Sequence, residues 1–177
     1  PYAHHDAQWL NDGLLYVAAA DYKDGRYSDI VRIVDRQGNV KWEWCAWKKL
    51  SEKNWPVHEG FPDNHWPMIN GVHLHDNIVY MSLRNTSGII GVHMDSKDVV
   101  WSVKWPDVAQ QHCPVVTDKG TLIALSNGNI RPPGVHHSRI VEFDLASKEC
   151  VWSYVDNMPP SFFCLLYTSP SPRDEKV

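Results

Sequence analysis

The sequence has no hydrophobic run as long as a membrane span. A spanning helix needs about 18 or more consecutive apolar residues. Hydrophobic residues make up 43% of these 177 positions, but charged residues, proline and glycine interrupt them throughout. Lys and Arg form no cluster, and the formal net charge is −4. The composition therefore predicts no membrane span and argues against a surface that binds nucleic acid or anionic lipid.

Cysteine is sparse and widely spaced. The cysteines form no C-x-x-C pair, so neither a disulfide framework nor a zinc knuckle is indicated; they are Cys45, Cys113, Cys150 and Cys164. His73 and His75 are two positions apart and share a strand face, but no third ligand follows at a sensible spacing. We therefore expect no metal site.

What the chain does contain is a repeat. Three segments share an apolar strand, a polar turn and a second strand rich in Leu, Ile, Val and Tyr. They are HDAQWLNDGLLYVAA (5–19), MINGVHLHDNIVYMSLR (68–84) and HCPVVTDKGTLIALSNG (112–128). Each is followed by a second hairpin in which an apolar strand ends at Asp and a later strand carries Trp. These pairs are Asp35 with Trp42, Asp95 with Trp101, and Asp144 with Trp152.

Alternation and turn residues predict antiparallel hairpins rather than helices. Two hairpins per repeat give a four-stranded unit, which is typical of a β-propeller blade, with the recurrent Trp packed between blades. We predict an all-β fold of about three blades over residues 1–163, with a long loop at 48–67. Three blades cannot close a ring, so we interpret the sequence as a fragment. Residues 164–177 resemble translated adapter sequence, or else form a native disordered tail rich in Ser and Pro.

The innermost strand of a blade is an edge strand, which tolerates proline because one row of backbone donors is unpaired. Pro114, inside the first strand of its repeat, therefore predicts an inner strand. His5, Met68 and His112 would then occupy equivalent inner positions around one axial funnel. By strict alternation, Cys113 should point away from that funnel.

The repeats resemble the arylsulfotransferase family of six-bladed propellers, which use aryl sulfate esters as donors. The resembling pieces cover most of residues 4–163: HHDAQWLNDGLLYV, MINGVHLHDNIVYMSLRNTSGI, QHCPVVTDKGTLIALSNGN and SRIVEFDLASKECVWSY. The resemblance implies roughly half of a six-bladed ring. It also implies a periplasmic or secreted location.

The resemblance assigns roles to individual residues. His112 matches the histidine that attacks sulfur and becomes a sulfohistidine, and Arg84 matches the arginine that holds the sulfuryl oxygens. Asn70 matches an active-site asparagine, and His5 a further active-site histidine. Met68 departs from the family, which usually has histidine there; His65, three residues earlier, is expected to reach the same funnel. Trp66 and Trp55 are expected to stack on aromatic substrates.

The reaction implied is sulfuryl transfer from an aryl sulfate to a phenol by a ping-pong mechanism. A neutral imidazole attacks, a guanidinium clamps the oxygens, and His5 or His65 moves the proton. No cofactor is expected, the partners are the two small-molecule substrates, and a homodimer is left open. Met68 favours one alternative, a non-catalytic propeller that serves as a binding or scaffold module.

Overall fold

The computed structural model describes residues 2–23, 25–59, 61, 63–128 and 137–157. The first sheet contains β1 (Tyr2–Leu10), β2 (Gly13–Lys23), β3 (Arg26–Asp35) and β4 (Val40–Cys45), followed by the helical turn α1 (Ala46–Lys49). The second contains β5 (Ile69–His75), β6 (Ile78–Leu83), β7 (Gly88–His93) and β8 (Val99–Lys104). The third contains β9 (His112–Val116), β10 (Thr121–Ser126), β11 (Arg139–Asp144) and β12 (Cys150–Tyr154).

Each sheet is a four-stranded antiparallel meander in chain order. The predicted all-β fold of three blade-like units is therefore confirmed. Within the described ranges, no helix has the length and apolar character to cross a membrane. The predicted tail at 164–177 lies outside the described residues.

The turns of the second hairpins repeat one geometry. The strand-end residue closes the turn by donating its N–H to a carbonyl four or five residues on: Asp35 to Asn39, His93 to Asp98, and Asp144 to Glu149, each at 3.0 Å. A residue with positive φ lies inside each turn, namely Gly38, Lys97 and Lys148. The Asp predicted to end each strand does so in the first and third sheets. In the second sheet β7 ends at His93, and Asp95 lies in the turn.

Indole side chains join neighbouring sheets. Trp42 of the first sheet donates its Nε1–H to the carbonyl of Met94 in the second (2.8 Å). Trp101 of the second sheet makes the same bond to Leu145 in the third (3.0 Å). Both rings are buried within apolar clusters that fill the spaces between sheets, whereas Trp152, at the same repeat position, is 49% exposed. The predicted packing of Trp between blades is confirmed for the first two positions.

The first strand of every sheet contains a β-bulge. In β1 the register slips between Ala3 and Ala7, in β5 between Ile69 and Gly71, and in β9 between His112 and Val115. Strands β1 and β5 pack together, and so do β5 and β9. The bulges therefore lie on three neighbouring inner strands, where bulges commonly redirect side chains towards a functional site.

Candidate active site

Arg84 lies in the turn that follows β6. Its backbone N–H donates to the Met68 carbonyl (2.9 Å), which holds the turn against the start of β5. Its Nη1 donates to Asn85 Oδ1 (3.0 Å) and contacts Met68 Sδ (3.6 Å). The side chain is half-buried. Two neighbours thus hold the guanidinium through one of its nitrogens.

The charge of Arg84 reaches histidines on two different sheets. Burial lowers the pKa of His112, a hydrogen bond with Asn127 opposes this, and the positive charge of Arg84 lowers it further. Burial and His4 are the main causes that lower the pKa of His5 to about 4, and Arg84 contributes to this shift as well. The Arg84 backbone is bonded to Met68, immediately before β5, and β5 packs against both β1 and β9.

His112 is 1% exposed at the start of β9. Its Nε2 is 3.3 Å from Asn127 Oδ1, and its Nδ1 is 3.2 Å from Cys113 Sγ. The prediction that Cys113 points away is wrong. Cys113 has a positive φ of 52° inside the bulge, which breaks strict alternation and brings its thiol to the imidazole.

A network of buried amides fixes the backbone before His112. Asn70 donates its Nδ2–H to the Gln111 carbonyl (3.0 Å), which also accepts from Ser82 Oγ (2.7 Å). The Gln111 side chain donates in turn to Ser82 Oγ and to the Gly88 carbonyl. Asn70 is therefore placed to position His112 through the backbone. Its predicted role as a substrate ligand stays a prediction.

The fourth predicted residue, His5, belongs to a cluster of imidazoles around a buried carboxylate. His5 has a positive φ of 59° in the β1 bulge, and its Nδ1 is 2.6 Å from His4 Nδ1. His4 Nε2 lies 3.1 Å from Asp29 Oδ1, and His65 Nε2 lies 2.8 Å from the same oxygen. Hydrogen bonds from the two histidines hold the pKa of Asp29 below its ordinary value, although burial alone would raise it.

The long loop delivers His65 to this cluster. Tyr27 donates its N–H to the Asn64 carbonyl and accepts from Trp66 N–H, so the segment around His65 lies against β3. The His65 ring packs edge-on against the His4 ring, with their centroids 5.3 Å apart. Met68, by contrast, touches Arg84 and has a positive φ of 62°. The loop therefore supplies an imidazole near the site where Met68 supplies none.

The two tryptophans predicted to stack on substrate are buried. Trp66 is 1% exposed and donates its Nε1–H to the Trp55 carbonyl (2.7 Å), and Trp55 is 7% exposed. Both rings pack in the apolar cluster between the first two sheets. Neither ring offers a face to a ligand in this arrangement, so stacking on Trp66 or Trp55 finds no support.

Sequence reasoning missed His4 and Asp29. Asp29 directly precedes the stretch that contains the buried residues Ile30, Val31 and Ile33, and it is itself 0% exposed. A carboxylate entering such a strand was a usable signal, because buried charges require partners. Among the described residues, His4, Asp29 and His65 form one group compact enough to enclose a metal ion. Their spacing is that of two imidazole N–H groups sharing one carboxylate oxygen, and hydrogen bonding accounts for it.

An open depression of about 530 Å³ lies beside His4 and His5 on the face of the first sheet, against Leu14, Tyr16 and Arg32. Its volume is typical of small-molecule pockets. Neither His112 nor Arg84 lines it. The depression therefore gives access to the His5 end of the cluster and not to the reacting centre expected at His112.

The fold and this site define a blade-built protein with histidines on the inner strands β1 and β9 and an arginine in the turn that follows β6. The family model for arylsulfotransferase (ASST) matches residues 1–107. The chain therefore belongs to the arylsulfotransferase family. The matched region includes His5, Asn70 and Arg84 and ends before His112, whose placement depends on the register of β9.

Among solved structures, the chain is similar to a protein of unknown function from Bacteroides caccae, with a TM-score of 0.55 and 14% identity. That similarity covers 85% of this chain and 45% of the Bacteroides protein, so it supports the fold alone. No curated protein matches the chain. The chain spans less than half the length of the structure it resembles, and the activity of a whole protein is therefore a proposal.

Proposed function

We propose that this protein is an aryl-sulfate sulfotransferase that moves a sulfuryl group to a phenol through a sulfohistidine at His112. Membership of the arylsulfotransferase family supports the general activity. The observation that carries the finer proposal is the packing of the inner strands: β5 packs against both β1 and β9, and the Arg84 backbone is bonded to Met68, immediately before β5. This packing supports a shared site for His112 as nucleophile, Arg84 as cation and His5 as second imidazole.

In the first half-reaction, a lone pair of the His112 imidazole attacks sulfur and the bond from sulfur to the aryl oxygen breaks. The lowered pKa of His112 keeps the imidazole neutral, and hence nucleophilic, at pH 7. Sulfuryl transfer resembles phosphoryl transfer, in which charge spreads over the equatorial oxygens. Arg84, always charged, stabilises that charge.

In the second half-reaction, the acceptor phenol gives its proton to His5 as its oxygen attacks the sulfohistidine. A pKa of about 4 leaves His5 unprotonated at neutral pH, the form a general base requires. The donor and acceptor are small molecules, the mechanism uses no cofactor, and a periplasmic or secreted location follows from the family resemblance.

The direct test incubates the purified chain with a chromogenic aryl sulfate, with and without a phenol acceptor. Phenol-dependent release of chromophore is expected, and a ³⁵S-labelled donor should leave alkali-stable label on the peptide that contains His112. His112→Asn should abolish both signals, whereas His73→Asn, a change towards the end of β5, should abolish neither. Label that persists in the His112 variant would reject the assignment of the nucleophile.

The contact between Met68 and Arg84 favours one alternative, a non-catalytic binding module. A thioether neither donates a hydrogen bond nor carries a proton, and here it touches the guanidinium. Met68→His distinguishes the two functions. A gain in sulfuryl transfer would support a catalytic site whose activity Met68 weakens. A folded chain that is inactive with methionine and with histidine at this position would support the binding module.

A further inference from the structure

A chain of polar contacts runs back from His5 into the first sheet. His5 Nδ1 faces His4 Nδ1 at 2.6 Å, and His4 Nε2 faces Asp29 Oδ1 at 3.1 Å. His65, on the long loop, lies 2.8 Å from the same carboxylate oxygen. The arrangement thus joins two adjacent residues of one bulge to a carboxylate on β3.

Asp29 is the fixed end of this chain. Its side chain is fully buried, and its Oδ2 accepts the backbone N–H of Ile69 (2.9 Å). Three donors therefore surround the carboxylate, and the two histidines among them hold its pKa below the ordinary value against the opposing effect of burial. An ionised carboxylate only accepts hydrogen bonds. Both His4 Nε2 and His65 Nε2 must then carry hydrogen.

The contact between the two Nδ1 atoms contains one proton. Two lone pairs do not face each other at 2.6 Å, and neither do two N–H groups, so one nitrogen donates and the other accepts. With the proton on His5, His4 is neutral and His5 Nε2 is unprotonated. With the proton on His4, His4 is a cation beside the Asp29 carboxylate, and His5 Nε2 carries hydrogen as an acid.

We propose that His4 and Asp29 act as a proton store for His5, which exchanges that proton with the substrate oxygens. The role in catalysis rests on the proposed sulfuryl transfer. When the phenol proton arrives at His5 Nε2, the proton at His5 Nδ1 passes to His4 Nδ1, and the His4 cation pairs with Asp29. In the next donor half-reaction His5 Nε2–H protonates the leaving aryl oxygen, and His4 Nδ1–H returns its proton to His5. One proton is borrowed and returned in each cycle.

The charges around His5 favour storage on His4. Arg84, from the turn after β6, and the His4 and His65 imidazoles all oppose a positive charge on His5 itself. Asp29 is the group that favours positive charge there, and it touches His4 directly. His5 can therefore serve as an acid despite its lowered pKa, because the charge does not stay on its own ring.

The test is ¹⁵N NMR of the full chain with labelled histidine, which reports the hydrogen on each ring nitrogen. At high pH, we expect His5 as the Nδ1–H tautomer and His4 as the Nε2–H tautomer. On acidification the first proton should convert His4 to the doubly protonated form and switch His5 to Nε2–H, in one coupled step. Independent titration of the two rings, or an Nε2–H tautomer of His5 at every pH, would overturn the proposal.

Two variants test the two members of the proton store, Asp29 and His4, separately. Asp29→Asn removes the anion, and we expect the midpoint of the coupled step to fall by about 1 to 3 pH units. If that variant does not fold, His4→Phe leaves the carboxylate in place, and His5 should lose its tautomer switch. His73→Phe, at a half-buried position towards the end of β5, is the matched control and should change neither signal. These spectra require no turnover, so a failed activity assay and a failed proton store remain distinguishable.

Discussion

Asn70 on the first strand of the second sheet donates its side-chain amide to the carbonyl of Gln111, 3.0 Å away, at the entrance to the first strand of the third sheet. The bond joins two inner strands at the residue immediately before His112. Asn70 therefore influences the position of His112 through the backbone, although the two residues are far apart in sequence.

Asn70→Ala should reduce sulfuryl transfer by about tenfold or more, because a small displacement of a nucleophile is costly in rate. Stability should fall by about 1 kcal/mol, the net contribution of one hydrogen bond, since Ser82 still donates to the Gln111 carbonyl. Steady-state kinetics and urea unfolding measure the two effects. Asn77→Ala, in an exposed turn where Asn77 bonds to Asp95, is the control; an equal loss of rate there would remove the positioning role.

The hydrogen bonds that Trp42 and Trp101 make between sheets predict that replacing these residues destabilises the protein more than replacing Trp152. Trp42→Phe and Trp101→Phe should each lower the free energy of unfolding by about 1 to 3 kcal/mol, because each leaves a carbonyl without its donor. Trp152→Phe should change it by about 0.5 kcal/mol or less, as for other exposed positions. Urea titrations with unchanged m-values check the series. Three equal effects would show that contacts between sheets are not the cause.

The lowered pKa values of His5 and His112 predict an acid-tolerant reaction. A histidine with a lowered pKa stays neutral further into the acid range, so a rate that needs neutral imidazoles should persist below pH 6.5, and the loss caused by protonation of His5 should come only near pH 4. Arg84→Gln removes a charge that lowers both values, and the acid limb of kcat/KM should move to higher pH. Lys119→Gln, on an exposed turn, should leave the limb unchanged. An acid limb centred at 6.5 in the unmodified protein would contradict this prediction.

Cys113 offers a chemical probe of the nucleophile. Its thiol is exposed and lies 3.2 Å from His112 Nδ1. Iodoacetamide should therefore abolish transfer, by adding bulk beside the imidazole. The residual activity of Cys113→Ala should resist the reagent, whereas Cys150→Ala, lacking the other exposed thiol described, should remain sensitive. Sensitivity that follows Cys150 instead would show that the thiol and imidazole are not neighbours in solution.

Local patterns were sufficient to predict the hairpins and the role of tryptophan. Alternation, Asp-rich turns and the repeated Trp42 and Trp101 are features of short segments, and the three-sheet fold follows from them. The side-chain direction of Cys113 was mispredicted because a bulge shifts the period of alternation, and Pro114, which fits an edge strand as well as a bulge, did not distinguish the two. Asp29 was missed because its partners come from β1 and from the long loop, and only the tertiary fold brings them together.

The bulges place candidate site residues on the inner strands outside the regular strand pairing that holds the sheets together. His5, Asn70 and Cys113 lie where the regular pairing of their strands is interrupted, so their replacement removes few ladder bonds. An evolving or redesigned protein can therefore exchange the reactive side chains at these bulges while its sheets stay assembled. These three bulge positions are where a protein engineer would begin to install a different reaction.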